Sequence, residues 1–357
     1  MVARAVLGNV NQKIGGNKMF KKVLLFLLIV ILMFNLIGCG KNEQPVQTSG
    51  GQGSSGGNTD KKVTLAVTSA WAEGNSLLFN MDDFAKKVSE KTNGTVEVVW
   101  GGGPEAIPTY QLVEALRNGI IDIAWTSHTY NVSHVPVMEA MKLTDAEKLR
   151  ETGGFDFVKD LYKSKLNAHY IAATTNGLTY NLYTKHEINK IEDFQGMTIR
   201  ATPAYQAFVE GLGAGVVNTA PGEAYQALER NVIQGYGWPS VGVKDFGWQE
   251  VSKYIIQPAF YNVDVCIMMS DKAWNKLSES QQQAIMEAGK EIEADSNEYY
   301  VKAIADENGV LKAEGMEELI LPQEVADAYY KLAYEKGWES ALKVDSENAK
   351  KLRDLSE

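Results

Sequence analysis

The chain has 357 residues, 45% of them hydrophobic, and a formal charge of −10. That length buries core for about two domains, and the acidic balance excludes a polyanion such as nucleic acid as the partner of the body while leaving room for a local cation in a cleft. Its two cysteines, Cys39 and Cys266, exclude a disulfide framework, and no Cys/His cluster has zinc spacing, so neither a metal nor a cofactor is expected.

The N-terminus reads as an address. Lys21 and Lys22 precede an apolar run over 23–37, interrupted only by Asn35, which leads into Leu36-Ile37-Gly38-Cys39. A basic segment, an apolar core and a small residue before the cut describe a secretory signal over 1–38, with Met19 as an alternative start. The box resembles that of a bacterial lipoprotein signal, which implies cleavage before Cys39 and lipidation of that cysteine; the competing reading is an uncleaved membrane anchor. Removing 1–38 takes away Arg4, Lys13, Lys18, Lys21 and Lys22 and no acid, lowering the charge from −10 to −15. Residues 40–60 are rich in Gly, Ser, Gln and Asn, so 39–61 is expected to be the lipidated cysteine and a flexible tether to a body outside the cytoplasmic membrane.

The body opens with a strand over 63–67 and a loop carrying Trp71 and Glu73. A helix over 76–92 follows, with Leu78, Phe79, Met81, Phe84 and Val88 near a helical period and Asn93-Gly94 as its stop. A strand over 96–100 leads to a glycine-rich loop with Glu105. A helix over 110–117 and a buried strand over 120–125 come next, followed by Thr126 and Tyr130. This alternation predicts crossover connections and a largely parallel sheet. Further on the segment 138–165 reads as helical, strands are expected over 169–173, 178–183 and 197–199, and a helix is opened by Thr202 as N-cap with Pro203 in the first turn. Strands over 215–217, 234–238 and 263–269 and a helix over 223–230 complete the sheet elements. At Ser278 a capping box opens a helix expected to reach about residue 306, roughly 40 Å and longer than one small domain. The segment 322–355 is helical and amphipathic.

Arg200, in Gly-Met-Thr-Ile-Arg-Ala-Thr-Pro over 196–203, stands at the carboxyl end of a strand. In open α/β sheets ligands bind at that edge, and a guanidinium grips a carboxylate through two parallel hydrogen bonds. The competing reading is a surface arginine paired with Glu192 or Asp193. Trp71, Glu73, Glu105, Thr126 and Tyr130 follow strands of the first lobe and are the natural complement to Arg200. Glu73 and Glu105 either meet a substrate hydroxyl or amine or stay solvated, while Tyr130 and Tyr261 offer phenolic donors. His128, His134, His169 and His186 are scattered and read as structural or exposed. No nucleophile elbow, His-Glu-x-x-His or phosphate loop occurs, and Gly211, Gly213 and Gly215 lack the dinucleotide-binding context, so no catalytic residue is assigned.

Several strings, in this order and separation, resemble the extracytoplasmic solute receptors of tripartite ATP-independent periplasmic (TRAP) transporters, of the C4-dicarboxylate-binding type. They are Glu90-Lys91-Thr92-Asn93-Gly94, Gly119-Ile120-Ile121-Asp122-Ile123-Ala124, Ile191-Glu192-Asp193-Phe194-Gln195-Gly196-Met197-Thr198-Ile199-Arg200, and Glu223-Ala224-Tyr225-Gln226-Ala227-Leu228 with Gln234-Gly235 after it. The resemblance covers 63–337. It implies an α/β, two-lobe clamshell like a periplasmic binding protein, with hinge strands and a long helix spanning both lobes: lobe I over 62–178 plus 265–305, and lobe II over 179–264 plus 306–357 with the C-terminal helices. It implies that Arg200 grips the ligand carboxylate, that Asn218 and Thr219 line the cleft, and that Trp238 either stacks on the ligand or joins the core. It implies delivery of a small organic acid to a sodium-driven membrane permease. Two departures matter: Leu178-Thr179-Tyr180 after Gly177 lacks the second arginine of some members, and Gly215 stands where sialic-acid receptors carry asparagine. Both count against sialic acid and polyanionic ligands, and the missing second arginine favours a monocarboxylate or a small hydroxy or oxo acid. A ligand-sensing lipoprotein and an extracytoplasmic enzyme on the same scaffold are the alternatives.

Overall fold

The computed structural model describes residues 60–78 and 80–357. The expectations for the signal, for Cys39, for the tether up to residue 59 and for Phe79 lie outside these residues.

Two mixed sheets organise the chain. The first has the order β2-β1-β3-β11-β4, built from β1 (Val63–Ser69), β2 (Val96–Gly102), β3 (Ile123–Ser127), β4 (Ala168–Ala173) and β11 (Val265–Ser270). The pairs of β1 with β2 and β3 are parallel, whereas β11 runs antiparallel to both β3 and β4. The expected parallel character therefore holds for the half built from strand and helix repeats. Every residue of β11 is buried, as an apolar strand covered on both faces requires.

The second sheet is seven-stranded and holds β5 (Thr179–Thr184), β6 (Thr198–Arg200), β7 (Gly215–Val217), β8 (Gly235–Pro239), β9 (Tyr254–Gln257), β10 (Tyr261–Asn262) and β12 (Glu317–Ile320). Its order is β12-β9-β5-β8-β6-β7, with β10 paired to β5. β6 lies parallel between β7 and β8, so the carboxyl end of β6 opens between two neighbouring loops.

The chain crosses between sheets through 174–178 and returns through 263–264. These segments are zipped together: Thr174 N donates to Val265 O at 3.0 Å and Val263 N to Leu178 O at 2.9 Å. Thr175 Oγ1 donates to Val263 O at 2.9 Å and accepts from Val265 N at 3.1 Å. A third connection is the helix Glu279–Ala313. Its capping box forms as expected, with Gln281 N donating to Ser278 Oγ at 3.2 Å and Ser278 N to Gln281 Oε1 at 3.0 Å. At 35 residues it is longer than predicted, about 50 Å of helix. Near its start Gly289 presses on β4, where a Cβ would come within 2.7 Å of Ile171 Cγ2. Near its end buried Glu307 accepts from Lys244 N at 3.2 Å, in the loop after β8.

One local expectation is sharpened and one corrected. The helical segment 138–165 consists of a 3-10 segment Pro136–Leu143 and helices Ala146–Thr152 and Gly154–Leu166. Asp145 caps the second piece by accepting from Lys148 N at 2.9 Å, and Gly153 at φ +83° ends it, a left-handed position that favours glycine. Thr202 does not cap a helix with its side chain; it opens a turn, and the helix runs over Gln206–Gly211.

Candidate functional site

Arg200 ends β6 and is fully buried. Its Nε and Nη2 donate to Thr219 O at 3.2 and 3.1 Å, and Nη1 donates to Tyr205 Oη at 3.0 Å and to Gly237 O at 3.2 Å. The reading as a surface ion pair is thereby corrected: each of these acceptors is a neutral oxygen, and Asp193 instead accepts from Asn189 N and Lys190 N at 2.8 and 3.1 Å. Burying a guanidinium away from a counter-ion costs several kcal/mol. The carbonyl dipoles offset part of that, as does the Trp238 ring, whose centroid lies 5.5 Å from Arg200 Cζ.

The scaffold fixes this posture. Tyr205 Oη donates to Gly237 O at 2.6 Å, and its ring lies so close to Gly237 that a Cβ there would come within 2.3 Å of Tyr205 Cε2. A residue without a side chain is required for the ring to hold the guanidinium.

A cavity of about 10 Å³, roughly one water sphere, lies beside Arg200. Trp71, Leu77 and Tyr130 reach it from loops of the first sheet, and Tyr180, Arg200, Thr202, Tyr205, Trp238 and Pro239 from the second. The lobes stand closed over the arginine. None of the lining residues is acidic. Three of them carry buried polar atoms without a hydrogen-bond partner, Trp71 Nε1, Thr202 Oγ1 and Trp238 Nε1, the last beside Gly242. Burial raises the phenol pKa of Tyr130, Tyr180 and Tyr205, so these hydroxyls stay neutral at physiological pH. The wall is therefore rich in donors and aromatic faces around one cation.

Hydrogen bonds join the lobes at the rim. Tyr110 Oη, in the loop after β2, has Asn218 Oδ1 at 3.1 Å and Thr219 O at 3.4 Å as acceptors for its one proton, and Ser76 N donates to Asp245 Oδ2 at 2.7 Å. Tyr180 Oη, behind the cavity, donates to Asp264 Oδ1 at 3.3 Å.

Of the residues singled out from the sequence, Arg200, Trp71, Tyr130 and Trp238 are brought together, and Asn218 stands at the rim. The rest are not. Glu73 is exposed in its loop. Glu105 is exposed and folds back to accept from Gly103 N at 2.6 Å, which holds its carboxyl below the usual range. Thr126 is buried within β3, outside the cavity wall. Tyr261 belongs to the core, packed on Phe208 and Phe260, with its hydroxyl donating to Ala333 O. Tyr110, Tyr180, Thr202 and Tyr205 were missed. Thr202 and Tyr205 lie within five residues of Arg200, and Tyr180 occupies the stretch in which the resemblance calls for an arginine in some members.

Among the described residues no group of three or more His, Cys, Asp or Glu is placed to hold a metal ion, and no helix is long and apolar enough to cross a membrane.

Solved structures share this architecture. A TRAP periplasmic solute-binding protein from Desulfovibrio salexigens with bound orotic acid superposes with a TM-score of 0.75 at 21% identity, covering 83% of this chain and 97% of that one. An extracytoplasmic solute receptor from Bordetella pertussis binding pyroglutamic acid gives 0.74 at 17%, covering 82% and 99%. Two lobes on two mixed sheets, joined by crossing segments and closed over a buried cation, define the class of two-lobe solute receptors. The sequence profile of the bacterial extracellular solute-binding proteins, family 7, matches residues 67–336. The chain belongs to that family, the extracytoplasmic solute receptors of TRAP transporters, and the match does not single out the C4-dicarboxylate type. Among curated relatives, a monocarboxylate 2-oxoacid-binding periplasmic protein of Nostoc sp. is 23% identical over 296 residues, 79% of this chain and 80% of the relative.

Proposed function

We propose that this receptor captures a small monocarboxylate, a 2-oxo or 2-hydroxy acid, between its lobes and delivers it without chemical turnover to a TRAP membrane permease. Arg200 carries the reading: a fully buried guanidinium whose hydrogen bonds all go to neutral oxygens, in a wall without a carboxylate. One cation suits one carboxylate. The hydroxyl and indole donors suit a keto or hydroxyl oxygen beside it, and the lack of an acidic wall residue disfavours a ligand ammonium. The Nostoc relative is named for 2-oxo monocarboxylates, and both solved relatives hold carboxylic acids.

In this reading the acid enters when the lobes part, its carboxylate takes over the inner face of Arg200, and closure excludes water around the pair. Trp71, Tyr130 and Trp238 cover the ligand body, while the Tyr110 to Asn218 and Ser76 to Asp245 bonds latch the closed form, whose greater affinity for ligand drives the switch. The mature chain is tethered by lipid on Cys39, an assignment supported by the Leu-Ile-Gly-Cys box; incorporation of labelled palmitate that persists in Cys39→Ser contradicts it.

Mass spectrometry of small molecules released from natively purified protein tests the ligand class. A stoichiometric mono-acid is expected; a stoichiometric amine or neutral sugar overturns the assignment.

A further inference from the structure

The second half of the long helix Glu279–Ala313 touches both sides of one contact between the lobes. Ser76 opens the turn Ser76–Leu78 after β1, and Asp245 sits in the turn Lys244–Phe246 after β8. Their bond, from Ser76 N to Asp245 Oδ2, runs from one lobe to the other. From the helix, Tyr300 Oη donates to Ser76 O at 3.4 Å, and Glu307 Oε1 accepts at 3.2 Å from the backbone N of Lys244, the residue before Asp245. Tyr300 and Glu307 stand about two turns apart on one face of the helix. One rigid element thus reaches the first lobe's half of the contact through a carbonyl and the second lobe's half through an amide.

Glu307 is the telling member of this set. It is 2% exposed and does not line the cavity at Arg200, and its hydrogen bond and ion pair both go to one residue, Lys244 N on Oε1 and Lys244 Nζ at 3.4 Å from Oε2. The Lys244 side chain is 43% exposed, so the ion pair is screened and contributes little. A carboxylate is costly to bury. What its burial secures is a fixed, charge-assisted bond from the helix to the backbone of the turn.

That turn leads to the ligand side. Phe246 packs edge-on against Trp238 of the cavity wall, with ring centroids 5.3 Å apart. Gly242 shows how closely the pieces converge: at φ +88° it lies where a Cβ would come within 3.2 Å of Asp245 Oδ2, 3.3 Å of Trp238 Nε1 and 3.7 Å of Ser76 Cβ. The bridging acid, the wall and the opposite lobe meet over one residue without a side chain.

We propose that Glu307 is a positioning residue for closure: by fixing the Lys244–Phe246 turn to the long helix it aims Asp245 at Ser76 and Phe246 at Trp238, and so slows escape of the bound acid without touching it. The proposal rests on the reading of the cleft as a site that closes over a small acid.

Hydrogen exchange of the Ser76 amide, in the full-length protein without added ligand, reads the latch directly. Glu307→Met keeps the length of the side chain and removes the acceptor. It is expected to raise the rate at Ser76 about tenfold, the effect of one lost bond to a charged group, with the amides of β11 unchanged. Glu307→Gln keeps an acceptor and is expected to exchange as the wild type does. Asp245→Ala abolishes the latch, and adding Glu307→Met to it is expected to change the Ser76 rate no further. Stopped-flow release of pyruvate is the second readout: Glu307→Met is expected to release it about tenfold faster at an unchanged association rate. A wild type that does not bind pyruvate contradicts the acid reading, and the Ser76 rates then decide the role of Glu307. A Ser76 amide that is unprotected in the wild type or indifferent to Glu307→Met overturns the proposal. So do additive effects in the double variant, an equal rise in β11, a Glu307→Gln variant as fast as Glu307→Met, or bound pyruvate released at the wild-type rate.

Discussion

Two arginines of this chain are drawn inward, Arg150 onto the carboxylate of Glu293 and Arg200 onto the carbonyls of Thr219 and Gly237, and the contrast lies in what compensates the buried charge. Arg150 arrives with its counter-ion, and both Glu293 oxygens are used, Oε2 also accepting from Ala173 N. Arg200 is buried more deeply, yet meets only dipoles and a ring. A buried pair roughly breaks even in free energy, whereas a buried lone cation is a standing cost. In the proposed function the ligand carboxylate supplies the missing counter-ion.

Substitutions can break or sharpen this contrast. Arg150→Met leaves the Glu293 carboxylate buried without its cation and is expected to cost about 3 kcal/mol of stability, the low end for a broken buried pair because Arg150 is itself part-exposed; denaturant midpoints check it. The same change at Arg200 is expected to cost no more than about 1 kcal/mol. It removes an unpaired charge; Gly237 O keeps Tyr205 Oη as a donor, and Thr219 O shares the Tyr110 hydroxyl proton with Asn218 Oδ1.

His128 supplies a pH test. Burial sets its folded pKa at about 4, below the ordinary histidine value, so the unfolded chain binds its proton first. Stability from this residue is full above about pH 6.5 and is lost as pH falls toward 4, by about 2 to 3 kcal/mol. Unfolding midpoints for wild type and His128→Asn, taken at both ends of that window, are expected to converge on acidification. Gly237→Ala is expected to cost about 2 kcal/mol by driving Tyr205 off the guanidinium, and to lower acid affinity with it. Tyr110→Phe is the mildest change. Losing its bond to Asn218 is expected to weaken acid binding by about 1 kcal/mol with an unchanged melting point.

The legible parts of this molecule are those written locally. The capping box at Ser278, the strand ending in Arg200 and the strand-helix alternation of the first lobe each depend on neighbours within a few residues, and each stands in the structure as read. The site beyond Arg200 depends on what closure brings together. Tyr110 and Asn218 are 108 residues apart and meet only because two lobes close. All of β3 is buried, so alternation gives no sign of which of its side chains faces the cleft, and Thr126 turned out to lie outside it. Glu105 looked like a cleft acid because it follows a strand, yet its shorter route is to its own backbone. Tyr261 was taken by the C-terminal helix, whose position no local pattern encodes.

The most direct test is calorimetric titration of pyruvate, the smallest 2-oxo acid, into wild type and Arg200→Met under conditions where both are shown to be folded. The account predicts saturable wild-type binding that the variant loses by a factor of roughly thirty to several thousand, about 2 to 5 kcal/mol, as for one partner removed from a desolvated charge pair. Equal affinity in the two proteins would contradict the role of Arg200 as the anchor of the cleft.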